Sequence, residues 1–439
     1  MTILKTSLSD EVIRELVMDQ IRVEEKGFCK QEEFQPLFYW RGMERFIRKE
    51  PPKAEYVFTD YLRHKMIGSI FATGGTGKTF LIIELAAALA TGITFGPFQP
   101  TKPRKILFLA GEEDENLLWE RARAIFSKLE IMGEGALAEY YEQLLIKNLE
   151  IISLRGTPDK LFFEYEPNTR NVKKTAFFQN LKKTLIGIGD IEVLFIDPLS
   201  RFFGLDENNS KDANEWIAAM EELSKDLGAT ILYSHHENKT QAQSGELKNS
   251  YGRGSTAFRD GVRWSISLAE MDSKQAQELG VNHRDYVIAD VTKSNHTKKL
   301  PGTIYFKRDP DTGVLLPVEL KKDVAIKQAE ILAEAISSCE TELTRTELTT
   351  NKSKDKNKKM AIDEIRATIQ EKLPFIKLNN SISNIIDAAI CFQFIRTEKK
   401  ISGKKSFDIL VVNETQKVQN ESKRKTLFRF ENHPEGTTC

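Results

Sequence analysis

The stretch Met66-Ile67-Gly68-Ser69-Ile70-Phe71-Ala72-Thr73-Gly74-Gly75-Thr76-Gly77-Lys78-Thr79 decides how this chain is read. Met66 to Ala72 is a short apolar run of strand length. The glycines that follow let successive backbone N–H groups turn inward around an anion. A helix starting near Lys78 adds its positive N-terminal end. The spacing is that of a P-loop, with Ala72 where the pattern has its first glycine. In that pattern the backbone from Thr73 through Gly74, Gly75, Thr76 and Gly77 cradles phosphates. Lys78 reaches the β- and γ-phosphates, and the Thr79 hydroxyl holds magnesium. A Gly-rich turn before an ordinary helix is the simpler alternative, and the preceding strand with the adjacent Gly77-Lys78-Thr79 argues against it. ATP and Mg²⁺ are therefore the expected cofactors, and ATP hydrolysis the expected activity.

Outward from that stretch, apolar runs recur at Ile106–Ala110, Leu149–Ile152, Ile191–Ile196 and Ala229–Ser234. Helical patterns separate them at Asn116–Lys128, Lys174–Leu185 and Ala213–Leu227. Strands alternating with helices of this length predict an α/β fold around a mostly parallel sheet covered on both faces. After His236 the pattern becomes strand-like, at Val262–Leu268, Asp285–Lys293, Thr303–Lys307 and Val314–Leu320. These runs predict a partly antiparallel far side of the same sheet. Upstream, helices are expected over residues 8–25, with Ser9 as N-cap, and over Phe38–Arg48, stopping at Pro51-Pro52. Downstream of Lys321-Lys322, a helix is expected at Ile326–Ile336, then a lysine-rich break at Asn351–Lys359 and helices at Ala361–Lys372 and Ser383–Ala389. Phe394–Arg396, Thr397–Lys405 and Phe407–Val412 read as strand, turn and strand. The expected organisation is an N-terminal helical region (1–51), an ATPase core (52–320), a small α+β winged-helix-like domain (321–417) and a flexible tail (418–439).

The 439 residues suit two or three domains. No stretch approaches the roughly 20 apolar residues of a membrane span, and residues 1–27 are charged throughout, so a cytoplasmic location is expected. Cys29, Cys339, Cys391 and Cys439 lie far apart with no zinc-ligand spacing, which fits reduced thiols. Net charge is zero, but residues 321–439 hold 22 Lys+Arg against 17 Asp+Glu. A mildly basic tail on a mildly acidic body permits nucleic-acid contact without requiring it.

A P-loop needs a second magnesium partner, and Asp197 closes the run Val193-Leu194-Phe195-Ile196 as such a carboxylate would. Pro198 follows it, so the general base cannot sit beside it. The next place for one is the end of the strand after the P-loop helix, Ala110-Gly111-Glu112-Glu113-Asp114. Glu112 is the expected base and Glu113 the reserve; Asp114 and Glu115 fit an acidic helix start. Tyr233-Ser234-His235-His236 closes a further strand, where His235 or His236 could sense the γ-phosphate.

Together, A-T-G-G-T-G-K-T, F-L-A-G-E-E-D, L-F-I-D-P-L-S-R-F, Y-S-H-H, R-G-S-T-A-F-R-D-G-V-R-W and V-T-K-S-N resemble, in that order, the RepA-type hexameric replicative helicases of the RecA-like ATPase group. The resemblance covers about residues 52–320. It implies a homo-oligomeric ring, most simply a hexamer, that works on single-stranded DNA in replication of a plasmid or other mobile element. It also implies that Arg263 is an arginine finger reaching the neighbouring subunit's ATP, and that Arg121 is a further arginine near the site. Lys293 stands, more loosely, where related rings place a second basic finger. Glu237–Gly254 then corresponds to a channel loop, with Lys239, Lys248 and Arg253 as candidate DNA contacts. The family's compact members lack both the N-terminal helices and residues 321–439. A winged helix with Lys399-Lys400 and Lys404-Lys405 around its hairpin could bind duplex DNA or another protein. The competing expectation is a RecA-like ATPase with a DNA-binding winged helix, acting as a regulator or defence-system component without unwinding.

Overall fold

The computed structural model describes residues 43–130, 135–169, 171–236, 256–296, 302–374, 376–402 and 405–413. The helix expected over residues 8–25, the loop carrying Lys239, Lys248 and Arg253, the hairpin residue Lys404 and the tail 418–439 lie outside them. The chain forms two compact units, Met1–Lys53 and Ala54–Cys439. In the first, helix α1 (Glu44–Arg48) is the described part of the helix expected before Pro51-Pro52.

The second unit opens with a small antiparallel pair, β1 (Tyr56–Phe58) and β2 (Leu62–Arg63). It is then built on β3 (Ile67–Ala72), which is buried along its whole length. With β4 (Ile106–Ala110), β5 (Leu149–Ser153), β8 (Val193–Asp197), β9 (Thr230–His236), β10 (Trp264–Glu270), β11 (Tyr286–Ser294), β12 (Ile304–Arg308) and β13 (Leu315–Val318) it forms a nine-stranded sheet. A separate antiparallel hairpin, β6 (Phe163–Tyr165) and β7 (Val172–Lys174), lies between β5 and β8 in the sequence. The sheet order is β13-β12-β11-β10-β3-β9-β8-β4-β5. Pairing is parallel from β10 to β5 and antiparallel from β10 out to β13. This is the expected α/β architecture, a mostly parallel sheet whose P-loop strand is central.

Side chains alternate strictly between two cores, as a pleated strand requires. Ile70, Ala72, Phe108, Phe195, Leu232, Trp264, Ile266 and Phe306 face one side. Packed on it are α2 (Lys78–Thr91), α3 (Glu115–Lys128) and α4 (Ala136–Asn148). Phe71, Leu109, Leu194, Ile196, Ile231 and Tyr233 face the other side, covered by α5 (Ala176–Ile188) and α6 (Ser210–Leu227). There Phe162, at the foot of the β6–β7 hairpin, stacks on fully buried Trp216 with ring centroids 5.4 Å apart. Truncating one of these rings would cost about 3–5 kcal/mol.

Helix α4 and the β6–β7 hairpin have no counterpart in the sequence reading. Helix α4 leaves Leu137, Tyr140 and Ile146 exposed, which blurs its helical stripe. It also borders a cleft of about 310 Å³ with α3, lined by Trp119, Phe126, Leu145 and Ile146.

Two short helices of the core, α7 (Ala257–Asp260) and α8 (Ser273–Leu279), follow β9 and β10 in the chain. The C-terminal elements are α9 (Leu320–Ser337), α10 (Arg345–Thr350), α11 (Lys356–Lys372), α12 (Leu378–Cys391) and the hairpin β14 (Ile395–Ser402)–β15 (Lys405–Val412). They share one apolar core containing Leu332, Leu348, Ile365, Ile385, Ile395 and Leu410. A capping box, Thr344 with Glu347, starts α10, and Thr344 also bridges to Ile409 of β15.

Three boundaries differ from expectation. Helix α9 begins at Leu320, so the boundary drawn at Lys321-Lys322 falls inside its first turn. The cause is that Leu320 and Val324 pack with Tyr286 and Ile288 of the sheet. Helix α11 starts inside the lysine-rich break because the Asp355 side chain caps Asn357 N–H and Lys358 N–H. The expected turn Thr397–Lys405 is mostly strand: Thr397 to Ser402 pair in register with Leu410 to Lys405, and the exposed Lys399 and Lys400 suit a solvated hairpin. Among the described residues no helix is long and apolar enough to cross a membrane.

Candidate nucleotide-binding site

The site forms where β3, β9, β8 and β4 end, on the face that carries α2. Gly75 and Gly77 have φ of +85° and +104°, which glycine alone adopts without strain. A side chain at Gly77 would also approach Leu315 Cδ1 to 3.0 Å. The turn is braced by a 2.6 Å hydrogen bond between the Thr73 and Thr76 hydroxyls.

Asp197 is the hub. It accepts from Thr79 Oγ1 at 3.0 Å through Oδ2 and from the Ser234 hydroxyl through Oδ1, and Lys78 Nζ stands 3.7 Å away. The Lys78 and Asp197 side chains are only 9% and 5% exposed. Lys78 Nζ is buried without a hydrogen-bond partner among the described residues, an unfavourable state that a phosphate oxygen would relieve. Lys78, Thr79, Asp197 and the P-loop backbone thus fit a nucleotide phosphate chain with magnesium.

Gly111 N–H donates to Asp197 O at 2.7 Å, locking the end of β4 to the end of β8. Beyond it the two glutamates diverge. Glu112 Oε1 accepts from Arg201 Nε at 2.9 Å, in a partly exposed pair. Glu113 pairs with Arg121, and its second oxygen is buried without a hydrogen-bond partner among the described residues. Burial pushes the Glu113 carboxyl above its ordinary range, the Asp197 and Glu112 charges push the same way, and Arg121 opposes them. The Arg121 guanidinium lies 5.0 Å over the Phe80 ring, just after the P-loop.

Strand alternation separates the two histidines. His236 pairs with Ala72 and shares a face with Ser234, the side of Asp197 and the P-loop helix. His235 turns to the opposite face, buried between Phe71 and Phe258, with ring centroids 5.9 and 4.9 Å away.

Arg263 and Lys293 lie at the other end of the sheet. Arg263 N–H donates to Ile67 O at the start of β3, whereas the P-loop follows the end of that strand. The two ends are separated by roughly 17 Å of strand. Arg263 is exposed and makes no side-chain ion pair among the described residues. Lys293 donates to the Asp260 carbonyl at 2.6 Å, closing α7, and burial followed by the Arg263 charge hold its pKa down despite Asp260.

The sequence reading missed Ser234, Arg201 and Arg308. Ser234 was within reach, being two residues before His236 and so on its face. Arg308 Nη2 donates to Thr76 O at 3.0 Å from 232 residues away, and no local pattern marks it. Elsewhere, Glu55, His64 and Glu192 bring one ligand atom each within 4.8 Å of one another, but Arg104 and Lys102 already neutralise the carboxylates.

Residues 33–242 match a family model described as an AAA domain, a span that holds the P-loop, Glu112, Glu113, Asp197 and both histidines. Among solved structures, an ATPase domain aligns with 71% of this chain and 100% of its own length, at 10% identity and a TM-score of 0.39. A likeness of that size settles neither activity nor partner. The P-loop motif, the mostly parallel sheet and the family match agree on an ATPase domain of P-loop type over that span.

Proposed function

We propose that this chain is a ring-forming, ATP-dependent DNA helicase or translocase of the RepA type, working on single-stranded DNA, whose active sites are completed by a neighbouring copy. The observation that carries the reading is the position of Arg263. It is exposed, makes no side-chain ion pair among the described residues, and lies at the wrong end of the sheet to reach its own P-loop. In a ring, that end would face the next subunit's nucleotide, where an arginine spreads the charge of the transferring phosphoryl group.

Within one copy, Lys78 and the P-loop amides bind the phosphates. Magnesium held by Thr79 and Asp197 would neutralise phosphate charge. Glu112 orients and deprotonates the attacking water. Arg201 holds this carboxylate, while the Asp197 charge acts on the Glu113 carboxyl of the Glu113–Arg121 pair. His236, on the Asp197 face, is the better placed sensor; His235 has a packing role. The channel loop with Lys239, Lys248 and Arg253, and the C-terminal winged-helix-like module, belong to the DNA side of this proposal.

The test combines ATPase and strand-displacement assays with and without single-stranded DNA, and particle imaging with and without ATP. The reading expects DNA-stimulated hydrolysis, displacement and a closed ring. A wild-type ATPase indifferent to single-stranded DNA, with no displacement, would overturn it.

A further inference from the structure

Strand β12 touches two separate parts of the molecule through two adjacent residues. Its side chains alternate, so Phe306 and Arg308 face the P-loop helix while Tyr305 and Lys307 face the opposite side. On the first face, Arg308 Nη2 donates to the carbonyl of Thr76 at 3.0 Å, inside the P-loop itself. The strand that follows supports the same turn: Leu315 lies under Gly77, and its N–H donates to Glu84 Oε1 of α2 at 2.7 Å. On the second face, Lys307 Nζ reaches both oxygens of Asp323 at 3.0 and 2.9 Å, and the Tyr286 hydroxyl donates to the same carboxylate. Asp323 is in the first turn of α9, the helix that opens the C-terminal module.

We propose that Arg308 is a positioning residue that holds the P-loop in its phosphate-binding shape, and that β12 links the seating of the C-terminal module to nucleotide affinity through Lys307–Asp323 on one face and Arg308–Thr76 on the other. The carbonyl of Thr76 points away from the phosphates when a donor holds it, which leaves the neighbouring N–H groups aimed inward. A guanidinium suits this task because it stays charged and directs its donors along fixed lines.

This inference rests on the P-loop binding nucleotide phosphates, and calorimetric titration of the full chain with Mg·ADP tests the two separately. Wild type binds and Lys78→Ala does not; absence of wild-type binding refutes the P-loop reading itself. Given wild-type binding, Arg308→Met weakens ADP by about tenfold, the scale of one charge-assisted hydrogen bond, and Arg308→Lys falls between the two. In steady state the KM for ATP rises by more than kcat falls. The melting temperature without nucleotide stays near that of wild type, while the rise produced by ADP shrinks. Wild-type affinity in both variants overturns the positioning role. If Arg308→Met does not fold, Arg308→Lys decides alone, and unchanged affinity there overturns it. The link to the module is tested by Asp323→Asn, expected to weaken ADP about threefold in the wild-type background and not at all in Arg308→Met. No effect in the first background, or equal effects in both, overturns the link.

Discussion

The two ends of the central strands are built on opposite principles. At the end of β3, β8 and β9, Asp197 is gripped by Thr79 and Ser234, Gly111 is locked to β8, and the Thr76 carbonyl is held from 232 residues away. At the start of the same strands Arg263 is exposed, and among the described residues it is tied by its backbone and makes no side-chain ion pair. A polar group held in advance suits binding, because its reorganisation cost has been met during folding. An arginine left open suits a partner that arrives later. On the proposed reading, one copy holds a finished phosphate pocket and a catalytic centre that a neighbouring copy completes.

The largest expected effect therefore comes from the open end. Arg263→Ala should lower the hydrolysis rate by about 10³-fold or more while leaving ADP affinity within about twofold of wild type. Mixing it with Lys78→Ala should restore part of the activity, since mixed rings contain some junctions with both residues intact. A variant that hydrolyses ATP like wild type would break the contrast between the ends.

Next in size are the two glutamates. Glu112→Gln should cost about 10² to 10⁴ in kcat with nucleotide still bound. Glu113→Gln tests the reserve reading, in which the carboxyl with the raised pKa is the base. If Glu113→Gln loses more rate than Glu112→Gln in single-turnover assays, the roles are exchanged.

The histidine pair sharpens the contrast on a single strand. His236→Ala should reduce DNA stimulation by about tenfold with little change in melting temperature. His235→Ala, emptying the space between Phe71 and Phe258, should instead destabilise by about 2–3 kcal/mol. Melting curves and DNA-stimulated rates together separate the two, and the opposite pattern would reassign the sensor.

The smallest effect is a pH dependence beneath the pocket. Glu84 is fully buried in α2, and burial pushes its pKa well above the ordinary glutamate range, against the Leu315 N–H and Arg308. The folded chain then keeps a proton that the unfolded chain releases, so this residue lowers stability as pH rises above the unfolded value of 4.5. Glu84→Gln removes the titration, and its melting temperature should gain on wild type between pH 5 and pH 8. Parallel curves would show that Glu84 is ionised in the folded protein.

Much of the phosphate end was legible because its chemistry is local. Glycines at fixed offsets before Lys78-Thr79, and an aspartate after a buried strand, declare themselves wherever they fold. The strand runs were legible for a related reason, since strands covered on both faces are apolar throughout. The β6–β7 hairpin was not, because strands of three residues with exposed Glu164 and Lys173 give no period to read. Arg308 was not either, as its partner is set by the sheet order, which places β12 beyond β11 and β10 from the P-loop strand. Which of His235 and His236 shares the Asp197 face needed only the pleat, once β9 was known to neighbour β3 in register.

The cleft between α3 and α4 has a practical consequence. Trp119 on its rim is 65% exposed, whereas Trp216 and Trp264 are fully buried. Buried indoles emit from dry surroundings, and one on the rim emits from water and meets dissolved iodide first. With Trp40→Phe and Trp119→Phe as subtractions, the colour and quenching of Trp119 become a built-in optical gauge. That gauge would tell in real time, without any attached dye, whether the cleft stays open as nucleotide or a second copy binds.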